Sequence, residues 1–245
     1  MELRPNRVKR KLANNENVVV VSGPTHPDDI DAFGPSGVDG IWLEGEHGGV
    51  DPGELGNLTR ACDIWGMTSV ARIVSNDQGL IYRTLDRGAQ GVVVPHVNTR
   101  GEAENVVAGG RFAPLGQRGF FPSRQSYGVP DFYHKANDET LLVVLIEDII
   151  SVEGIDVFFV APGDFAASMG HILDPQHPEV QEKIDDALSR IVAAGHSAGT
   201  LATNDTVERY AALGVRFFFT VSQPWLNAGA REFMAQGEVG RARSR

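Results

Sequence analysis

Two carboxylates, Glu147 and Asp164, close apolar runs in Leu145-Ile-Glu-Asp and Val160-Ala-Pro-Gly-Asp. Other reactive side chains fall at comparable places. Glu44, Glu46 and His47 follow Gly40–Leu43, Arg72 lies within Ser69–Ile73, and His96 comes just after Gly91–Val94. Only four lysines occur, and none ends such a run: Lys9 and Lys11 precede the first one, while Lys135 and Lys183 fall in helical patterns. A carbanion next to a carbonyl can be held through a lysine Schiff base or by a divalent metal on the enolate oxygen. This set of residues favours the metal.

Two acids leave about four of six octahedral positions for water and substrate, which suits Mg²⁺ first and Mn²⁺ or Co²⁺ equally by ligand type. A 2-oxo acid could then chelate through its carboxylate and keto oxygen. The Pro162-Gly163 turn can present bare backbone N–H groups to the substrate carboxylate. The plainer alternative makes both acids solvated loop residues or helix caps, and Asp164 ahead of Phe165-Ala166-Ala167 would cap well. His47, before Gly48-Gly49, suits a general base, although a loop histidine equally suits a surface. Arg72 is a charge inside an apolar strand. It either pairs with one of the glutamates or forks onto an anionic substrate.

The elements that must position these groups alternate regularly. Apolar runs cover Val18–Val21, Gly40–Leu43, Ser69–Ile73, Gly91–Val94, Leu141–Ile146, Val157–Val160, Ala198–Leu201 and Val215–Phe219. They lack polar alternation, as parallel strands covered on both faces do. Between them lie helical patterns: Asp51-Pro52 opening a stripe of Leu55, Leu58, Cys62 and Trp65, a start at Asn76 or Asp77, a longer helix from Pro178, and a shorter one from Asp205. The expectation is an α/β chain folded as a single (β/α)8 barrel over residues 1–245, with an open doubly wound sheet as runner-up. One stretch breaks the pattern. Asp148–Gly154 is too short for a parallel crossover, which needs roughly a dozen residues, so either the connection is aberrant or a helix is missing there.

Composition narrows the class further. The formal charge of −10 argues against general nucleic-acid binding. Arg4, Arg7, Lys9, Arg10 and Lys11 cluster near one end and Arg241, Arg243 and Arg245 at the other, read as solvated or subunit-contact residues. A single cysteine, Cys62, excludes an intrachain disulfide and suits a reducing compartment. No apolar stretch approaches the ~18 residues of a membrane span, and no signal-peptide core opens the chain. A cytoplasmic protein is expected.

Taken in order, Glu44-Gly-Glu-His-Gly, Ala71-Arg-Ile, Leu85-Asp-Arg-Gly-Ala-Gln-Gly-Val, Arg118-Gly, Ile146-Glu147 and Ala161-Pro-Gly-Asp164 resemble the HpcH/HpaI family of class II pyruvate aldolases over about residues 8–230. The resemblance implies a (β/α)8 barrel that cleaves 4-hydroxy-2-oxo acids to pyruvate and an aldehyde through a metal-stabilised enolate. It makes Glu147 and Asp164 the metal ligands. His47 becomes the base acting through a metal-bound water, with Asp86 as its carboxylate partner from a neighbouring subunit. Arg72 binds the pyruvyl keto oxygen, and Pro162 and Gly163 frame its carboxylate. It further implies a trimer of dimers that exchanges a C-terminal helix, here Gln223–Gln236. Two residues depart from the pattern: Glu44 replaces a shorter acid, and Leu145 stands where many members carry glutamine. The alternatives are an acyl-CoA lyase of the citrate-lyase type, which would need a basic nucleotide patch, and a non-catalytic barrel with a vestigial metal site.

Overall fold

The computed structural model describes residues 1–145 and 152–243. Eight strands, β1 (Val18–Ser22), β2 (Gly40–Glu44), β3 (Thr68–Arg72), β4 (Gly91–Val94), β5 (Leu141–Leu145), β6 (Val157–Val160), β7 (Ser197–Leu201) and β8 (Phe217–Val221), pair in parallel in chain order. Pairing of β8 with β1 closes the barrel, so the open sheet is ruled out. Each observed strand lies within two residues of an apolar run expected from sequence. The helices are α1 (Arg7–Ala13), α2 (Pro27–Phe33), α3 (Leu55–Ile64), α4 (Gln78–Asp86), α5 (Arg100–Gly110), α6 (Phe132–Glu139), α7 (Pro162–Ser168), α8 (Pro178–Ala193), α9 (Val207–Ala212) and α10 (Gln223–Arg243). None of the described helices is long and apolar enough to cross a membrane.

Side chains alternate across each strand. Val18, Val20, Trp42, Val70, Val93, Val143, Phe159 and Phe217 fill the barrel interior as one buried cluster. The outward faces of the strands pack under the helices: Ile41, Leu43 and Ala71 join Leu55, Leu58 and Cys62 of α3. Leu142, Val144 and Phe158 join Ile184 and Leu188 of α8. The stripe predicted to end at Trp65 stops short. Trp65 is 40% exposed and donates its indole N–H to Asp31 at 2.9 Å. The helix also begins later than Asp51-Pro52, at Leu55.

The bottom of the barrel is closed by α1, which places Val8 into the interior cluster with Leu12 packed against it. The cations around it are tied inside the chain rather than left to solvent. Lys11 and Arg7 meet Asp39 at 3.0 and 2.9 Å, Lys9 meets Asp156 at 3.0 Å, and Arg10 pairs with Glu139. Asn6, fully buried, donates to the carbonyls of Gln90 and Glu139 at 3.0 Å each and accepts from Thr68 at 3.1 Å.

Between β5 and β6, the described residues 152–156 carry no helix. Most of the stretch expected to be too short for a crossover, and Glu147 with it, lies outside the described residues.

Candidate active site

The period of two that points Trp42 and Val70 into the barrel also points Glu44 and Arg72 inward two residues later, at the C-terminal rim. Strand register sets these two side by side, because Glu44 is the Cα partner of Arg72. Arg72 Nη1 lies 3.5 Å from Glu44 Oε2, and Nη2 pairs with Glu46 Oε2. Arg72 is only 13% exposed and the Glu46 side chain 7%. Thus Arg72 does pair with glutamates, with two of them. Its Nε still has no hydrogen-bond partner among the described residues, so the guanidinium keeps a buried donor to offer.

The loop after β2 is built around Glu44. Its Oε2 accepts the Trp42 indole N–H at 2.9 Å, and its Oε1 accepts the backbone N–H groups of Glu46 at 2.9 Å and His47 at 3.1 Å. Burial alone would raise the Glu44 carboxyl, but these donors together with Arg72 hold it below the ordinary glutamate value. The tight turn depends on glycine. A Cβ on Gly45 would lie 2.6 Å from the Arg72 carbonyl oxygen, and one on Gly48 would lie 2.7 Å from that of Glu44. Folded this way, the loop tucks Glu46 beneath it and leaves His47 72% exposed, with Nε2 3.7 Å from Glu46 Oε2.

Asp164 stands in the first turn of α7. It is not the N-cap: that position belongs to Ala161, which has no side-chain oxygen to offer, with Pro162 as the first helical residue. The Asp164 carboxylate has no hydrogen bond or ion pair among the described residues. It faces a small cavity of about 40 Å³ shared with Arg72, His96, Asn98, Leu145 and Phe165. Gly163 is exposed, with open space where a side chain would be. An unpaired hard-oxygen donor beside a guanidinium fits one side of a divalent-cation site that also holds an anionic ligand. Glu147, the other expected ligand, falls outside the described residues.

A family model described as HpcH/HpaI aldolase/citrate lyase matches residues 18–219. The chain belongs to the HpcH/HpaI family. It is 34% identical over 232 residues to a hydroxypyruvate/pyruvate aldolase of Pseudomonas aeruginosa, covering 89% of this chain and 87% of that one. It is 35% identical over 196 residues to a 4-hydroxy-2-oxo-heptane-1,7-dioate aldolase of Salmonella dublin, covering 74% of each. Among solved structures, an HpcH/HpaI aldolase/citrate lyase family protein from Burkholderia cenocepacia superposes with a TM-score of 0.87 at 25% identity, over 95% of this chain and 99% of that one. An HpcH/HpaI aldolase from Desulfitobacterium hafniense, 22% identical, shares the fold with a TM-score of 0.85 over 94% and 95%.

Within this HpcH/HpaI barrel, Asp86 is not brought to His47 in a single chain. It ends α4, where its Oδ1 accepts from Arg118 Nη2 at 2.7 Å. Burial pulls the Arg118 guanidinium below its usual range, opposed by Asp86. Asp86 lines a separate cleft of about 650 Å³ with Arg60, Arg83, Arg87, Arg124 and Phe121. That cationic wall was not visible in the linear sequence. Three of its guanidiniums are committed: Arg60 to the Gly56 carbonyl, Arg87 to that of Gly53, and Arg124 to Asp63. A second group of ligand-type side chains, His171, His177 and Glu179, has donor atoms within 4.8 Å of one another. There His177 Nδ1 accepts the backbone N–H of Glu179 at 3.3 Å. In a neutral ring that places the proton on Nε2, so metal binding would cost the helix cap.

Proposed function

We propose that this protein is a divalent-metal-dependent aldolase that cleaves 4-hydroxy-2-oxo acids to pyruvate and an aldehyde and runs the reverse addition. The observation that carries this is the unpaired Asp164 carboxylate facing the same cavity as Arg72 in a lysine-free barrel mouth. The aldolase names of its relatives support it.

Glu147 and Asp164 would hold the ion, with Mg²⁺ the first expectation and Mn²⁺ or Co²⁺ compatible. When bound, such an ion supplies Lewis acidity to a keto oxygen. Arg72, clamped by Glu44 and Glu46, offers its guanidinium to the keto oxygen of the pyruvyl unit, where negative charge grows as the carbon–carbon bond breaks. The first-turn backbone N–H groups of α7, at Gly163 after Pro162, meet the pyruvyl carboxylate. His47 takes the proton of the 4-hydroxyl in cleavage and returns it in addition. Asp86 would serve as carboxylate partner to the His47 of a neighbouring subunit. For that role its bond to Arg118 orients it.

The subunits would assemble as a trimer of dimers through α10, whose Leu226, Phe233 and Met234 are 62%, 79% and 62% exposed in the single chain. The whole reading is tested by incubating the protein with 4-hydroxy-2-oxo acids and following pyruvate by proton NMR, with Asp164→Asn alongside. Pyruvate formation that falls at least 100-fold in the variant is expected. Equal rates in both proteins would overturn the reading.

A further inference from the structure

We infer that His96 is a specificity-determining residue that receives the carbonyl oxygen of the acceptor aldehyde, an assignment that rests on the aldolase reading above. Three observations carry it. First, His96 adopts a left-handed backbone, φ 54°. Such a backbone is uncommon for a residue with a side chain, although histidine enters it more readily than most, and it fixes the direction in which the ring leaves the chain. Second, its Nε2 lies 3.4 Å from Glu46 Oε1, while His47 Nε2 lies 3.7 Å from Oε2 of the same carboxylate. One buried acid therefore stands between two imidazoles. Third, His96 lines the small cavity together with Arg72 and Asp164, yet it is 78% exposed where Arg72 is 13% exposed.

That gradient in depth orders the two halves of the reaction. The floor, with Arg72, takes the 2-oxo acid, and Asp164 stands at its exposed edge. The exposed rim, with His96 and His47, meets whatever arrives from solvent. In addition, the enolate carbon forms the new carbon–carbon bond and the aldehyde π electrons move onto its oxygen. That oxygen then takes a proton from the His47 side. In its imidazolium form, with Nε2–H toward Glu46, His96 offers its Nδ1–H to the same oxygen and stabilises it as the charge develops. In cleavage the same donor holds the 4-hydroxyl oxygen as its proton leaves and the bonding pair returns to the enolate. Glu46, tied to Arg72, fixes the direction of the ring. His96 thus acts on the acceptor half and leaves deprotonation of the pyruvyl methyl to other groups.

The two halves can be measured separately. Exchange of pyruvate methyl protons with deuterium oxide, followed by NMR, needs no aldehyde, whereas addition of pyruvate to glycolaldehyde does. Both His96→Gly and His96→Asn tolerate a left-handed backbone, so loss of fold does not confuse the outcome. Asn keeps an N–H donor and Gly does not. In His96→Gly, kcat/KM for aldol addition is expected to fall at least ten-fold more than the exchange rate, with His96→Asn recovering part of the difference. Equal loss in both reactions would overturn the assignment, since His96 would then only support Glu46 and Arg72. No loss in either would overturn it as well. A wild-type protein that neither exchanges pyruvate protons nor performs the addition would instead refute the aldolase reading, and this assignment with it.

Discussion

The Trp42 indole N–H donates to the Glu44 carboxylate at 2.9 Å, two residues further along the same strand. Both side chains point into the barrel, so an interior aromatic sets the position of the acid that shapes the loop after β2. Trp42 is itself held by Phe159 and Phe219, with ring centroids 5.7 and 4.3 Å away. Packing in the core thus reaches the rim through a single hydrogen bond. Glu44→Ala frees the backbone N–H groups of Glu46 and His47 and is expected to cost about 1–2 kcal/mol in stability. Activity should fall at least ten-fold as His47 loses its place. Glu44→Asp, one methylene shorter, should keep the backbone bonds only by giving up Trp42. Chemical denaturation and steady-state kinetics check both variants.

The depressed Glu44 carboxyl gives a pH dependence of known sign. A carboxylate whose folded pKa is lowered contributes stability that is fully present above its unfolded value. That stability is lost as pH falls through the folded value. Unfolding free energy should therefore drop below the ordinary glutamate range, and Glu44→Gln should flatten that part of the curve. Denaturant melts between about pH 6 and 3, a window of about three units that spans the ordinary glutamate value, would show it.

Arg72→Lys should separate chemistry from folding. Lysine keeps a cation beside Glu46 but loses the fork that engages two glutamates and that, in the proposed reaction, would also meet a substrate oxygen. The expected result is a loss of at least 100-fold in kcat/KM with a small change in Tm. Arg72→Ala should instead also lower Tm clearly, because it leaves the Glu46 carboxylate buried without its cation.

At the opposite end of the barrel, Asp39 is 4% exposed and holds Lys11, Arg7 and the backbone N–H of Val19, the last at 3.0 Å. Asp39→Asn should lower stability by about 2–3 kcal/mol. This is less than for a fully buried pair, because the two cations retain contact with water. Activity per folded molecule should be unchanged, which calorimetry and kinetics together would establish.

These particulars show what a linear chain displays. The strands were legible because runs such as Leu141–Leu145 and Val157–Val160 are buried on both faces and carry no polar alternation. Arg72 stood out because a charge in such a run demands a partner. Glu46 was not legible in its role. In Glu44-Gly-Glu-His-Gly nothing says which acid folds inward, since that depends on turns made by Gly45 and Gly48 against the Arg72 and Glu44 carbonyls. The α1 plug was missed because a short helix crowded with cations shows only Val8 and Leu12, one turn apart, as its apolar signal. Asp164 resembled a helix cap and proved to be a first-turn residue, since distinguishing the two needs the backbone of Ala161.

The central proposal is that Asp164 and Glu147 would hold a divalent ion able to supply Lewis acidity to the pyruvyl keto oxygen. Oxaloacetate decarboxylation passes through the same enolate, so the most direct measurement is enzyme-dependent pyruvate release from oxaloacetate, above an enzyme-free control with the same ion, before and after exhaustive treatment with EDTA. Activity that disappears and returns on adding Mg²⁺, Mn²⁺ or Co²⁺ is the predicted result. Activity that survives complete metal removal would contradict it.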